Sequence, residues 1–303
     1  MLSPYGIPMV SAMKQLMGRS TFLESHVTSY AETDHYSFHF LHAGSGTPVI
    51  LVHGGGMWLY SFRHITGPLS LSHWVFSLDM PGYGFTVIRD RGSLLNNLAM
   101  TSALKEFMEC QGLHRACLVG HSWGGGWVLA FALAWPGMVE KIVLIDSSGL
   151  DVPDVLEWEL LKMPVLGGVF MRFLTPGMVR RRLRRSFHNA SLVDEAMAME
   201  VYLPLTIPAN RKAQCMLSRN LSWKAVEEGL PVLSRPAMLI WGAQDRYLDV
   251  SLAGRFAGKV RDLKVEILQD CGHSPHEEMP GRVTDLIRDF LGENMPSGIP
   301  RAR

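Results

Sequence analysis

The stretch Leu118-Val119-Gly120-His121-Ser122-Trp123-Gly124-Gly125-Gly126 constrains this chain more than any other. An apolar run that reads as a buried strand leads into a serine held between two glycines, Gly120 and Gly124. The pattern Gly-x-Ser-x-Gly suits a strand that turns sharply into a helix with the serine at the tip, in a strained backbone conformation. Side chains two residues to either side would collide in so tight a turn, so both flanking positions have a steric reason to be glycine. The helix that follows aims the positive end of its dipole at the serine, where negative charge would develop in nucleophilic chemistry.

Around this turn the chain alternates between two periodicities. Pro48 to His53, Trp74 to Asp79, Ala116 to Gly120, Lys141 to Asp146 and Pro236 to Trp241 are short, near-continuous apolar runs, and Lys264 to Gln269 reads as the last strand. Strands buried on both faces by helices look like this. Helices are expected at about 93–112, 123–135, 250–259 and 278–291. Such alternation implies an α/β fold, a mostly parallel sheet with helices on both faces. Ahead of it, Ser25 to Ala31 and His35 to Leu41 alternate in polarity and are expected as antiparallel edge strands.

Between 151 and 230 the rhythm breaks. Pro164, Pro176, Pro204 and Pro208 divide this segment into short helices, and Met163, Met171, Met178, Met197, Met199 and Met216 supply flexible apolar side chains, as core filler or as substrate lining. The chain is therefore expected to comprise a first core segment (1–150), a helical cap (151–230) and a second core segment (231–303).

A net charge of +1 gives no global attraction to nucleic acid or to an anionic membrane. No run of about 18 apolar residues predicts a membrane span, and the first residues lack a secretory signal pattern. Cys110, Cys117, Cys215 and Cys271 show neither paired nor metal-type spacing, which favours a reducing compartment and a cytoplasmic location.

A serine hydroxyl becomes nucleophilic when a base takes its proton, and that base needs an orienting acid. Asp245, in Ile240-Trp241-Gly242-Ala243-Gln244-Asp245, lies just past a buried strand, and His273, in Asp270-Cys271-Gly272-His273, follows the last strand. Active sites of open parallel sheets lie at the carboxyl ends of the strands. Ser122, Asp245 and His273 all fall at such ends. His53-Gly54-Gly55-Gly56 follows the third strand, and its glycines allow backbone N–H groups to approach a substrate oxygen closely. The N–H groups of Gly55 and Trp123 are the expected oxyanion donors. This chemistry calls for no cofactor and no metal.

With these residues in view, the chain resembles the capped subgroup of the α/β-hydrolase superfamily over about residues 25 to 292. Asp79-Met80-Pro81-Gly82-Tyr83-Gly84 is similar to its Asp-x-Pro-Gly-x-Gly turn, Trp241 to Asp245 to its acid motif, and Gly272-His273-Ser274-Pro275 to its histidine motif. The resemblance implies an eight-stranded sheet with an inserted helical cap. It also implies a serine hydrolase acting on a small apolar or amphipathic acyl substrate, an ester or lactone. A carbon–carbon bond hydrolase or lyase using the same triad is an alternative, although those hydrolases usually carry an aromatic residue where this chain has Ser274. A ligand receptor without turnover is another. Dehalogenases and epoxide hydrolases of this fold use an aspartate where Ser122 stands.

Several neighbouring residues receive structural readings. Asp79 is expected to shape its turn, His53 to hold the glycine loop, His121 to pack beneath the elbow and His276 to cap a helix or lie at the surface. Asp146 is the competing acid, because some relatives take theirs after the sixth strand. Arg180 to Arg185 reads as a solvated helix face from which at most one or two arginines could reach a substrate.

Overall fold

In the computed structural model, which describes residues 13–90, 94–153 and 156–292, the strands form one nine-stranded sheet. In chain order they are β1 (Ser29–Glu32), β2 (Tyr36–Ala43), β3 (Pro48–Val52), β4 (Trp74–Leu78), β5 (Val87–Ile88), β6 (Ala116–His121), β7 (Val139–Ile145), β8 (Ala237–Gly242) and β9 (Leu263–Leu268). Their spatial order is β1-β2-β4-β3-β6-β7-β8-β9, with β5 paired to β2. β1 and β2 are antiparallel to their neighbours, and the strands from β4 to β9 along this path run parallel.

The helices α1 (Thr21–Ser25), α2 (Arg63–Ser70), α3 (Asn97–Cys110) and α4 (Trp123–Ala134) belong to the first half of the chain. Between β7 and β8 lie α5 (Leu156–Lys162), α6 (Leu166–Arg172), α7 (Pro176–Ser186), α8 (Glu195–Leu205), α9 (Pro208–Asn220) and α10 (Lys224–Gly229), and α11 (Ser251–Ala257), α12 (Pro275–Glu278) and α13 (Pro280–Gly292) complete the fold. The period-two alternation of β3 shows how the layers form. Val49 and Leu51 pack with Ile65 and Leu69 of α2 and Val283 and Ile287 of α13. Ile50 and Val52 face the other way, toward Phe107 of α3 and Trp127 and Phe131 of α4. All four strand residues are fully buried, and each such burial contributes about 1.5–3 kcal/mol.

Two differences from the sequence reading concern the sheet edge. Residues 25–28 are not strand: Ser20 caps α1 through its hydroxyl, which accepts from Leu23 N at 3.0 Å, and β1 starts only at Ser29. The alternation there does not reflect a buried face: Phe22, ahead of it, is buried against Trp58 and Tyr60, while Val27 is exposed. The ninth strand is β5, two residues long, which pairs with Tyr36 and Ser37. α2 also lies outside the expected helices; Gly67 and Pro68 weaken its signal, and its buried face of Ile65, Thr66 and Leu69 holds it.

The topology places the site. β3 sends the chain to β4 on one side, and the next long strand, β6, lies on its other side, so the order reverses between β3 and β6. Crevices at such switch points are where open α/β sheets bind ligands. Val52 pairs with Gly120 at this point, so the loop after β3 and the turn after β6 emerge side by side.

The helices between β7 and β8 are anchored to this end of the sheet. The buried Glu200 of α8 accepts hydrogen bonds from Ser20 Oγ (2.6 Å), Thr21 Oγ1 (2.9 Å) and Phe22 N (3.2 Å). Asn210 and Gln214 of α9 donate to the carbonyls of Gly84 and Gly82. Among the described residues, no helix is long and apolar enough to cross a membrane.

Asp79 organises the turn after β4. Its carboxylate accepts from Leu59 N at 2.7 Å and Phe85 N at 2.9 Å and sits 2.6 Å from His39 Nδ1, all fully buried. Asp79→Ala would strand these donors, so a loss of roughly 3 kcal/mol or more of stability is expected in urea unfolding. A loss below about 1 kcal/mol would contradict this structural role.

Candidate active site

Ser122 adopts φ 51° and ψ −121°, a left-handed backbone that costs a non-glycine residue about 1–3 kcal/mol. Backbone hydrogen bonds hold it there, including one of 3.3 Å from Gly126 N to its carbonyl. Its N–H donates to Ile145 O at 3.0 Å, and its carbonyl accepts from Gly125 N and Ser148 N, both at 2.9 Å. The glycine requirement is steric: a Cβ on Gly120 would lie 2.6 Å from the Gly124 carbonyl oxygen, and one on Gly124 would run into the Val52 carbonyl. Strand-to-helix contact this close leaves Ser122 at the tip, at the carboxyl end of β6.

Residues far apart in sequence meet at this tip. His273 Nε2 lies 3.1 Å from Ser122 Oγ, and His273 Nδ1 lies 2.7 Å from Asp245 Oδ2. The other oxygen of Asp245 accepts from Tyr247 N at 2.7 Å and Leu248 N at 3.0 Å. Burial pushes this carboxyl up, but His273 and the backbone donors outweigh it and hold Asp245 below the usual carboxylate range.

Asp146, at the end of β7, is fully buried and belongs to the same cluster: ligating atoms of Asp146, Asp245 and His273 all lie within 4.8 Å of one another. Its Oδ1 accepts from Gly242 N at 3.0 Å. Burial, then the negative charge of Asp245, push Asp146 well above the usual range. Two adjacent carboxyls cannot both ionise cheaply, so the negative charge favours Asp245 and Asp146 is pushed toward its neutral form. The spacing could suit a cation, yet Asp245 Oδ2 is already committed to His273 Nδ1.

The loop bearing His273 is fixed from three sides. His273 N donates to Ser186 O of α7 at 2.7 Å, and Glu278 accepts from Gly272 N at 2.7 Å and Asn189 N at 3.0 Å. His121, beneath the elbow, donates its Nε2–H to the His273 carbonyl at 2.7 Å. Burial and the neighbouring His273 push the His121 imidazole down to about 3, so it is neutral and its tautomer is set by that carbonyl. The His121 and Glu278 contacts are invisible in the sequence, since each depends on tertiary packing.

His276 corrects the expectation of a capping or surface residue. It is fully buried, its ring 5.0 Å from Phe62 and 4.5 Å from His121, and neither ring nitrogen has a hydrogen-bond partner among the described residues. The short α12 packs onto the turn Leu59–Phe62 and directs this side chain inward. Burial pushes its imidazole well below the ordinary value.

The glycine loop packs directly on the elbow. A Cβ on Gly54 would lie 3.0 Å from Ser122 Cβ, and one on Gly55 would lie 2.7 Å from Trp123 Cε3. His53 braces the loop, donating Nδ1–H to Gly54 O at 2.9 Å and accepting Met80 N at 3.0 Å. Among the described residues neither Gly55 N nor Trp123 N donates to another protein group. Arg182 is the departure from a solvated face: from α7 its Nη2 donates to Gly56 O at 3.0 Å. Together with Ser122, Trp123, Trp158, Tyr247 and His273 it walls a pocket of about 60 Å³.

A fold with this switch-point geometry and a serine elbow defines a class, and comparison with known proteins agrees. The model of the alpha/beta hydrolase family matches residues 49–286, and the chain belongs to that family. It is 30% identical over 266 residues to monoacylglycerol lipase abhd6-A of Xenopus laevis, covering 82% of this chain and 76% of the relative. It is 24% identical over 268 residues to the 2-hydroxy-6-oxo-6-phenylhexa-2,4-dienoate hydrolase of Comamonas testosteroni, covering 84% and 91%. In fold it is similar to a meta-cleavage product hydrolase from Pseudomonas fluorescens IP01, with TM-score 0.75 and 22% identity over 86% of this chain and 96% of that one.

The buried histidines carry a pH signature. An imidazole in the unfolded chain titrates near 6.5, whereas His121 and His276 stay neutral far below that when folded. Within that window the unfolded chain binds more protons, so stability rises with pH and is lost as pH falls below about 6.5. Each histidine contributes a slope of about 1.4 kcal/mol per pH unit. Urea unfolding at several pH values between 7 and 5 is expected to show a shallower slope for His276→Leu, by about one histidine's share. Parallel slopes for variant and parent would contradict the buried neutral state.

Proposed function

We propose that this chain is a serine hydrolase that cleaves an ester, lactone or related acyl bond through an acyl-enzyme. The observation that carries the reading is the single imidazole bridging Ser122 Oγ at 3.1 Å and a doubly braced Asp245 at 2.7 Å. In this reading His273 Nε2 takes the Ser122 proton as Oγ attacks the acyl carbon, and the resulting imidazolium is stabilised by Asp245. Gly55 N–H and Trp123 N–H, the latter at the first position of α4, receive the developing oxyanion. The protonated His273 then gives its proton to the departing alcohol. Water, activated by the same imidazole, releases the acid and restores Ser122.

The helices between β7 and β8 act as a cap in this reading, because Trp158, Arg182, Leu183 and Ser186 wall the pocket above Ser122. The likeness to a monoacylglycerol lipase supports an acyl ester as substrate. Carbon–carbon hydrolysis by the same residues is the second reading, favoured by the likeness to the Comamonas enzyme. Fast turnover of simple aryl esters favours the first. A pure receptor would have no use for the relay and the free donors together. The four cysteines form no disulfide, and three are buried, which supports a reducing, cytoplasmic setting.

Ser122→Ala is expected to lower kcat about 10³-fold or more in a folded protein, measured on an aryl ester. Retention of most activity would remove Ser122 from the chemistry. Asp245→Asn is expected to cost about 10²–10⁴-fold, and Asp146→Asn far less, because the neutral Asp146 supplies no charge to His273. The reverse ranking would move the acid to the end of β7.

A further inference from the structure

The pocket beside Ser122 is small, about 60 Å³, and the larger space open to an acyl substrate lies next to it. A second cavity of about 280 Å³ lies within the helical insertion and shares two walls with the first, Trp158 and Arg182. Its lining is apolar on the sides given by Leu161, Phe170, Met171 and Leu205. The polar lining comes chiefly from α7, as Arg181, Arg182 and Arg185.

These arginines are spaced three and four residues apart from Arg185, which sets them on one face of α7, where like charges repel. Among the described residues, no carboxylate pairs with Arg181 or Arg182. Arg182 spends one N–H on Gly56 O, and a guanidinium carries five donors. Arg185 lies over the Tyr247 ring, 5.7 Å from its centroid, and that ring in turn packs on His273. A recess with apolar walls and charges of one sign concentrates the counter-charge. Planar guanidinium forks match carboxylate and phosphate oxygens.

We propose that Arg182, flanked by Arg181 and Arg185, forms an anion subsite at the boundary between the reaction pocket and the apolar cavity. The substrate is then an amphipathic ester bearing a carboxylate or a phosphate: its apolar part fills the cavity, its anion meets the guanidinium groups, and its acyl carbon reaches Ser122. This inference rests on the serine-hydrolase reading above and specifies its substrate class.

The test compares kcat/KM for aryl esters of one chain length that end in a carboxylate, a phosphate or a neutral methyl ester. The anionic esters are expected to exceed the neutral one by about tenfold or more at low salt, with the ratio falling as salt is added. Arg182→Gln and the pair Arg181→Gln with Arg185→Gln are each expected to reduce that ratio severalfold. A ratio is read because it is insensitive to partial loss of folded enzyme. Whichever anion gives the larger ratio identifies the source. Equilibrium binding of octanoate, octyl phosphate and octanol to the wild-type chain and to Arg182→Gln gives a readout independent of turnover, with the anions expected to bind tighter and to lose that advantage in the variant. Efficient turnover with no anion preference, or a preference that survives the arginine variants, overturns the subsite and leaves the hydrolase reading intact. Turnover of none of the esters overturns both, and anion-selective binding would then mark a receptor.

Discussion

The left-handed backbone at Ser122 is the constraint on which the site depends. A residue at φ 51° persists only when its surroundings over-determine it, and here the surroundings are the centre of the sheet. The Ser122 N–H is held by the end of β7, and its carbonyl by Gly125 and by Ser148 in the loop after β7. The glycine loop after β3 presses against Ser122 Cβ and the Trp123 ring. Strain at the tip is thus offset by the most deeply buried strands of the molecule, β3, β6 and β7, whose core positions are almost completely excluded from water. Among the described residues, the N–H groups of Gly55 in that loop and of Trp123 in the turn find no protein acceptor.

Charge is divided among the groups behind the serine with equal economy. Of two adjacent carboxyls, Asp245 has the extra backbone donors and the imidazole, so the negative charge favours it while Asp146 is pushed toward its neutral form. Of three neighbouring imidazoles, His121 and His276 are held neutral by burial. Only His273 touches both an acceptor of its proton and a donor to its free nitrogen. The neutral pair is packed against it as support, with His121 fixing the loop through the His273 carbonyl.

Much of this was legible in the chain itself, for local reasons. The apolar runs of β3, β4, β6, β7 and β8 announce strands buried on both faces, and their order with intervening helices implies the parallel sheet. Ser122, Asp245 and His273 each sit where a strand ends, so their convergence follows from topology. Legibility stops where tertiary packing overrides local pattern. Residues 25–28 alternate like a strand, yet the buried Phe22 and the Ser20 cap make the preceding turn helical. His276 follows a proline at a helix start, as surface residues often do, but α12 rotates it onto Phe62. Nothing in a run of arginines distinguishes Arg182 from its neighbours. Its role against Gly56 depends on how α7 is anchored over the glycine loop.

The central claim is that Ser122 is made nucleophilic by His273 held on Asp245. Stoichiometric labelling with a small fluorophosphonate, followed by intact mass and peptide mapping, tests it most directly. The account predicts one adduct per chain, on Ser122, with labelling lost in folded His273→Ala. An adduct on a different serine, or a folded wild-type chain that takes up no label, would contradict it.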